Sequence, residues 1–202
     1  MSSGAAKGGK VRGPYAKTAE VRQKILEVCI EAFGSSGFHG ATMKDIAKRA
    51  GISQTGLMHH FPTKADLLIG VLQERANQEA QMLVESGRLR LIPSQGKVIA
   101  DNSRRPGIIQ LHSMISSEAT ADDHPAHEIY RTRYDELRQK LTTEFAELEE
   151  LGRLRVQISP EVLADLYIAI LDGLQVQWLY NRAAVDMQRD FRAFLGAVLR
   201  ED

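Results

Sequence analysis

With 202 residues, 43% of them hydrophobic and 26% charged, the chain has the make-up of a folded domain and excludes both a disordered tail and a fibre. Its one cysteine, Cys29, excludes an internal disulfide, and no apolar run follows the basic N-terminus, so a secretory signal is not expected. Formal net charge is zero, yet residues 1–64 carry ten Lys and Arg against four Asp and Glu (+6), and the remainder sixteen against twenty-two (−6). That asymmetry suits a polyanion-binding head joined to a body that does not bind polyanions.

In chain order, residues 1–17 read as a mobile basic tail with Lys7, Lys10, Arg12 and Lys17, able to reach a minor groove, lie along phosphates or merely solubilise. Thr18 can cap a helix running to about Gly34, with Val21, Ile25, Val28, Cys29, Ala32 and Phe33 at helical spacing and Ser35-Ser36-Gly37 as its stop. Cys29 on that stripe reads as a reduced core thiol. Thr42 caps a short helix at about 43–49, Asp45 stands in its first turn, and Gly51 ends it. A third helix follows at about 54–60. Pro62-Thr63 then precede a long helix at about 64–86 that buries Leu67, Leu68, Val71, Leu72 and Met82. Gly87, Pro93, Gly96, Pro106 and Gly107 interrupt the next stretch, leaving one short helix near 94–103. Helices at about 107–120, 125–151, 160–182 and 186–199 complete the chain, with Gly152 ending one and Ser159-Pro160 opening the next. The alternating run 153–158 is short and isolated. The most apolar stretch, 162–171, contains Asp165 and stops at Asp172, too short for a bilayer; no membrane is expected, and the protein reads as soluble and cytoplasmic. The fold class is all-α, about nine helices in total.

The segment from Thr42 to Phe61 carries the functional reading. Ile46, Ala50, Ile52 and Leu57 supply the inner faces of two short helices, Ala47 lets them cross closely, and Gly51 provides a turn with positive φ. Such a pair serves as a helix-turn-helix, the second helix entering the major groove while the first crosses the backbone. The run Thr42 to Ala47, Ala50-Gly51-Ile52-Ser53, Gly56-Leu57, His60-Phe61 and Lys64-Ala65-Asp66-Leu67-Leu68 resembles the TetR family of bacterial transcriptional regulators, over roughly residues 18–70. One departure is Met58, where the family usually has an aromatic that bonds a phosphate; His59 is the candidate substitute.

The resemblance implies a three-helix DNA-binding domain at 18–63 and a larger helical ligand-binding and dimerisation domain at 64–202. DNA contacts are expected from Thr42, Lys44, Ser53, Gln54, Thr55, Met58, His59, His60 and Lys64, with Gln54 reading a base edge and Thr42 offering hydroxyl and backbone N–H to phosphate. The helix near 160–182 and the last helix have apolar faces broader than one core needs, and the resemblance implies pairing with a second copy. The expected interface is Leu163, Leu166, Tyr167, Ile170, Leu174, Phe191, Phe194, Leu195 and Val198. A small-molecule effector is implied, with His112, Met114, Ile115, Tyr130, Tyr134, Tyr167 and Trp178 as candidate walls. Asp122, Asp123, His124 and His127 invite a metal, but Asp before a helix with Pro125 in its first turn reads as capping; neither metal nor cofactor is expected. No nucleophile elbow or phosphate-binding glycine loop is present, so the chain is not read as an enzyme. A protein-interaction module built on the same fold is the other rival. The reading is a sequence-specific repressor released from a palindromic double-stranded operator by its effector.

Overall fold

A computed structural model describes residues 14–85 and 90–200, with side chains over 20–81 and from residue 90. Nine helices form among them: α1 (Pro14–Gly40), α2 (Met43–Ala50), α3 (Gln54–His60), α4 (Lys64–Glu85), α5 (Leu91–Ser103), α6 (Pro106–Glu118), α7 (His127–Glu150), α8 (Pro160–Tyr180) and α9 (Met187–Val198). Lys7, Lys10 and Arg12 of the expected tail lie outside the described residues, as does the side chain of Met82.

Two boundaries at α1 differ from expectation. The helix starts at Pro14, whose fixed φ suits a first turn, so Thr18 lies inside it and is not its cap. It also runs through Ser35-Ser36-Gly37 to Gly40, kinking at Gly37 (φ 68°, ψ −178°) instead of stopping there. The kink is held from outside: the Phe38 N–H donates to Glu118 Oε2 at 2.6 Å, from the far end of α6. α5 opens at Leu91, three residues before the predicted start, because Glu144 on α7 accepts its Leu91 and Ile92 N–H groups.

Packing divides into two cores. The first joins α1 to α4 with Leu111, Ile115 and Ala119 of α6 and Tyr130 of α7. Its widest contact is α1 on α6, where a Cβ at Gly34 would stand 3.1 Å from the Leu111 backbone nitrogen. Cys29 is buried there, and burial pushes its thiol up to about 12, so it packs as an apolar group. The second core gathers Ile92 and Ile99, then Leu141, Phe145, Leu163, Tyr167 and Leu171, then Met187, Phe191 and Val198 from α5, α7, α8 and α9. By length and composition α8 as a whole (mean hydropathy 1.3) could cross a bilayer, which the expected ten-residue run could not. Here its apolarity is divided between this core and an outer stripe. Run 153–158 makes no sheet; one antiparallel bridge joins Leu154 to Leu199.

Candidate nucleic-acid interface and sensor cleft

The helix-turn-helix is built by its caps. Thr42 Oγ1 accepts the Asp45 N–H at 3.1 Å and donates to Asp45 Oδ2 at 2.7 Å, fixing the start of α2. At its end Gly51 adopts φ 72°, ψ 31°, and the Ile52 N–H donates to Ala47 O at 3.0 Å. Ser53 then caps α3, its Oγ accepting the Gly56 N–H at 3.0 Å. Ile46, Ala47 and Ala50 bury the inner side of α2. α3 is anchored by one fully buried side chain, Leu57. Burying a leucine is worth roughly 1.5–3 kcal/mol, enough to seat a two-turn helix that could not form alone.

What remains outside is the face expected to meet DNA. Thr42, Lys44, Ser53, Gln54, Thr55 and His59 are exposed, Met58 is 47% exposed, and His60 is half-buried with its ring 5.8 Å from that of His59. Gln54, Thr55 and Met58 thus share the outer surface of a helix whose N-terminus is free of tertiary cover. Lys48, one turn beyond Lys44, is exposed beside it; i, i+4 spacing was the signal that could have found it. Lys64 is a correction. Its Nζ donates to His39 O (3.3 Å) and Ala41 O (3.1 Å) and sits 4.5 Å over the Phe38 ring, so the ammonium tethers the kinked end of α1 to α4 rather than facing outward.

The candidate effector residues do not converge. Ile115 and Tyr130 belong to the first core, Tyr167 and Trp178 to the second, and Met114 is exposed. Tyr167 stacks edge-on against Phe145 and Phe191. Three polar groups meet instead. Asp172 accepts from Tyr134 OH at 2.8 Å and pairs with His112 Nε2 at 3.2 Å. Burial pushes the Asp172 carboxyl up, but the His112 and Tyr134 hydrogen bonds and the Arg133 charge outweigh it and hold the group below the usual carboxylate range. Nearby, Glu79 on α4 accepts from Arg133 on α7 at 2.9 Å and faces the buried Arg75 at 3.5 Å, so α4 is tied to the body by ion pairs. His124 packs its ring against Phe38, with Nε2 3.8 Å from Glu118 Oε2; burial lowers its pKa. No group of three metal-ligating side chains assembles among the described residues, Asp122, Asp123, His124 and His127 included.

An open cleft lies elsewhere, between α5, α6, α8 and α9, about 300 Å³ including its mouth. Gln95, Asn102 and Gln175 line it with their amides. Ile99, Ile109, Leu171, Leu174 and Met187 form its apolar walls. None of the seven expected residues borders it.

The interface expectation divides the same way. Leu163, Tyr167, Phe191 and Val198 are buried in their own protomer and cannot face a partner. Leu166 is exposed, and Ile170, Leu174, Phe194 and Leu195 are half-buried. The outer side of α8 carries Val162, Leu166, Ala169, Gly173, Val176 and Tyr180, alternately four and three residues apart, with only Gly173 less than exposed.

Comparison with known proteins agrees with this architecture. The model of bacterial regulatory proteins of the tetR family matches residues 25–71, and that of the C-terminal part of BetI-type transcriptional repressors matches residues 100–200. The transcriptional regulator RutR of Escherichia coli is 38% identical over 66 residues, 32% of this chain and 31% of RutR, so the match spans about a third of that relative's length. The transcriptional regulator TtgR of Pseudomonas putida is 26% identical over 192 residues, covering 89% of this chain and 90% of TtgR. A transcriptional regulator of Saccharomonospora viridis, solved with choline, superposes with a TM-score of 0.73 at 20% identity, covering 91% of this chain and all of that one, a likeness of fold. With one family model on the helix-turn-helix and another across half of its length, the chain belongs to the TetR family of transcriptional regulators.

Proposed function

We propose that two copies of this chain, paired through α8 and α9, set their α3 helices into successive major grooves of a palindromic operator and repress transcription until a small molecule releases them. The observation that carries this reading is the capped, singly anchored α3 whose leading residues Ser53, Gln54 and Thr55 are exposed beside the exposed cations of α2. Gln54 reads a base edge. Thr42, Lys44, Lys48 and His59 hold phosphates, and Met58 gives apolar contact instead of the usual aromatic hydrogen bond. The working division is a basic tail at 1–17, a DNA-reading head at 18–63 and a sensing and pairing body at 64–202, acting in the cytoplasm without enzymatic chemistry.

Pairing is assigned to the outer stripe of α8 with Leu166, Ile170, Leu174, Phe194 and Leu195. Signal transfer is assigned to α6, whose close packing on α1 and Glu118 grip couple body to head. A hundredfold loss of operator affinity needs about 2.7 kcal/mol of differential binding. The choline held by the S. viridis regulator supports an effector of small-molecule size. The test is a gel shift of the purified protein on its own upstream DNA. Binding should weaken steeply between about 50 and 200 mM salt. A chain that shifts no duplex at the lower salt, as an enzyme or adaptor would behave, overturns the reading.

A further inference from the structure

We infer that the cleft between α5, α6, α8 and α9 is the effector site, and that it selects an uncharged molecule carrying both hydrogen-bond donors and acceptors. This rests on the reading that an effector controls the chain. The first support is chemical. The residues lining the cleft include no ionisable side chain, while Gln95, Asn102 and Gln175 each present an acceptor oxygen and a donor NH2. Among the described residues no hydrogen bond uses those three side-chain amides, although they stand on two separate helices around one opening. A carboxamide, phenol or lactam can satisfy them. An ion entering the same space finds no counter-charge, and its desolvation goes uncompensated.

The second support is contrast. The polar cluster nearest in character, Asp172 with His112 and Tyr134, is already closed on itself. A cation entering there has to break bonds that the protein makes internally. The third is position. Ile109 on α6 forms part of the wall, and α6 is the helix that packs most widely on α1. Leu174 belongs both to this wall and to the half-buried set assigned to pairing. An occupant therefore bears on the head and on the spacing of the two heads together. The volume of about 300 Å³, at the small end for ligand sites, limits it to about one or two fused rings.

The experiment is calorimetric titration of the full-length chain, without DNA, by three probes sharing one ring system: 2-naphthamide, 2-naphthoate and 2-naphthylmethylammonium. The amide should bind saturably, one per chain, at least about tenfold more tightly than either ion. Gln95→Trp, which fills the mouth, and Asn102→Asp, which adds a charge without changing shape, should each weaken amide binding by about tenfold or more. Asn102→Asp should also turn the preference toward the ammonium probe. Where Gln95→Trp fails to fold, the near-isosteric Asn102→Asp decides. Equal or tighter binding of either ion, amide binding unchanged in Asn102→Asp, or no saturable amide binding below about 1 mM overturns the inference. Because no operator is present, failure of DNA binding leaves this titration readable, and failure here leaves the DNA-binding assignment intact.

Discussion

Gly37→Ala isolates the contact on which the placement of the head depends. At φ 68°, ψ −178° an alanine is strained by about 1–3 kcal/mol, because that region is nearly closed to residues with a Cβ. The new methyl would also stand 2.0 Å from Glu118 Oε1 and 2.9 Å from its Cδ, so the carboxylate has to leave. Its departure forfeits the 2.6 Å bond from the Phe38 N–H, a charge-assisted bond worth about 1.5–3 kcal/mol. Gly37→Ala should therefore destabilise by about 3–5 kcal/mol, and Glu118→Ala, which loses only the bond, by about 1.5–3 kcal/mol. The double variant cannot lose that bond twice. It should match Gly37→Ala alone, leaving a coupling of about 1.5–3 kcal/mol in the cycle. Urea unfolding at one fixed protein concentration measures all four species. Additivity within about 0.5 kcal/mol would show that Glu118 does not hold the kink.

Three further outcomes follow from the same geometry. Lys44→Ala should weaken all duplexes alike and reduce the slope of log affinity against log salt by about 0.9, read by fluorescence anisotropy; an unchanged slope removes Lys44 from the phosphate contacts. Leu166→Glu should convert the dimer to a helical monomer on size-exclusion chromatography, since two unpaired carboxylates at a two-fold interface cost several kcal/mol, about a hundredfold or more in dimer affinity. A dimer that survives this change pairs through another surface. Asp172→Asn tests the polar cluster through pH. The folded carboxyl lies below its ordinary value, so its stabilisation is present above about pH 4 and is lost as pH falls through the folded value. Thermal melts of the variant should show a shallower acid limb than the parent, whereas parallel limbs contradict the depressed value.

Much of the head could be read from the chain because its determinants are local. Ser53 and Thr42 announce caps, Gly51 a left-handed turn, and Leu57 the inner side of α3, all within a dozen residues of what they control. The end of α1 misled because Ser35-Ser36-Gly37 does break the helix, yet Glu118, eighty residues away, stabilises the break and the helix resumes. Lys64 misled similarly: a lysine at a helix start suits phosphate, but the carbonyls of His39 and Ala41 reach it first. On α8 the apolar period could not tell inner from outer side, since Tyr167 faces Phe145 and Phe191 while its neighbour Leu166 points out. The sensor was least legible. Aromatic residues drew attention but packed the cores, and the cleft is edged by Gln95, Asn102 and Gln175, residue types that sequence alone assigns to a solvated surface.

The central claim, that the exposed start of α3 reads bases, is tested most directly by selecting bound sequences from a pool of random duplexes, with the parent chain and with Gln54→Ala in parallel. The parent should recover a two-fold symmetric motif whose half-sites are centred about one helical turn, roughly 34–36 Å, apart, and Gln54→Ala should relax one symmetric pair of positions within it. Recovery of no motif by the parent, or of an identical motif by Gln54→Ala and by a Ser53→Ala, Thr55→Ala pair, would contradict it.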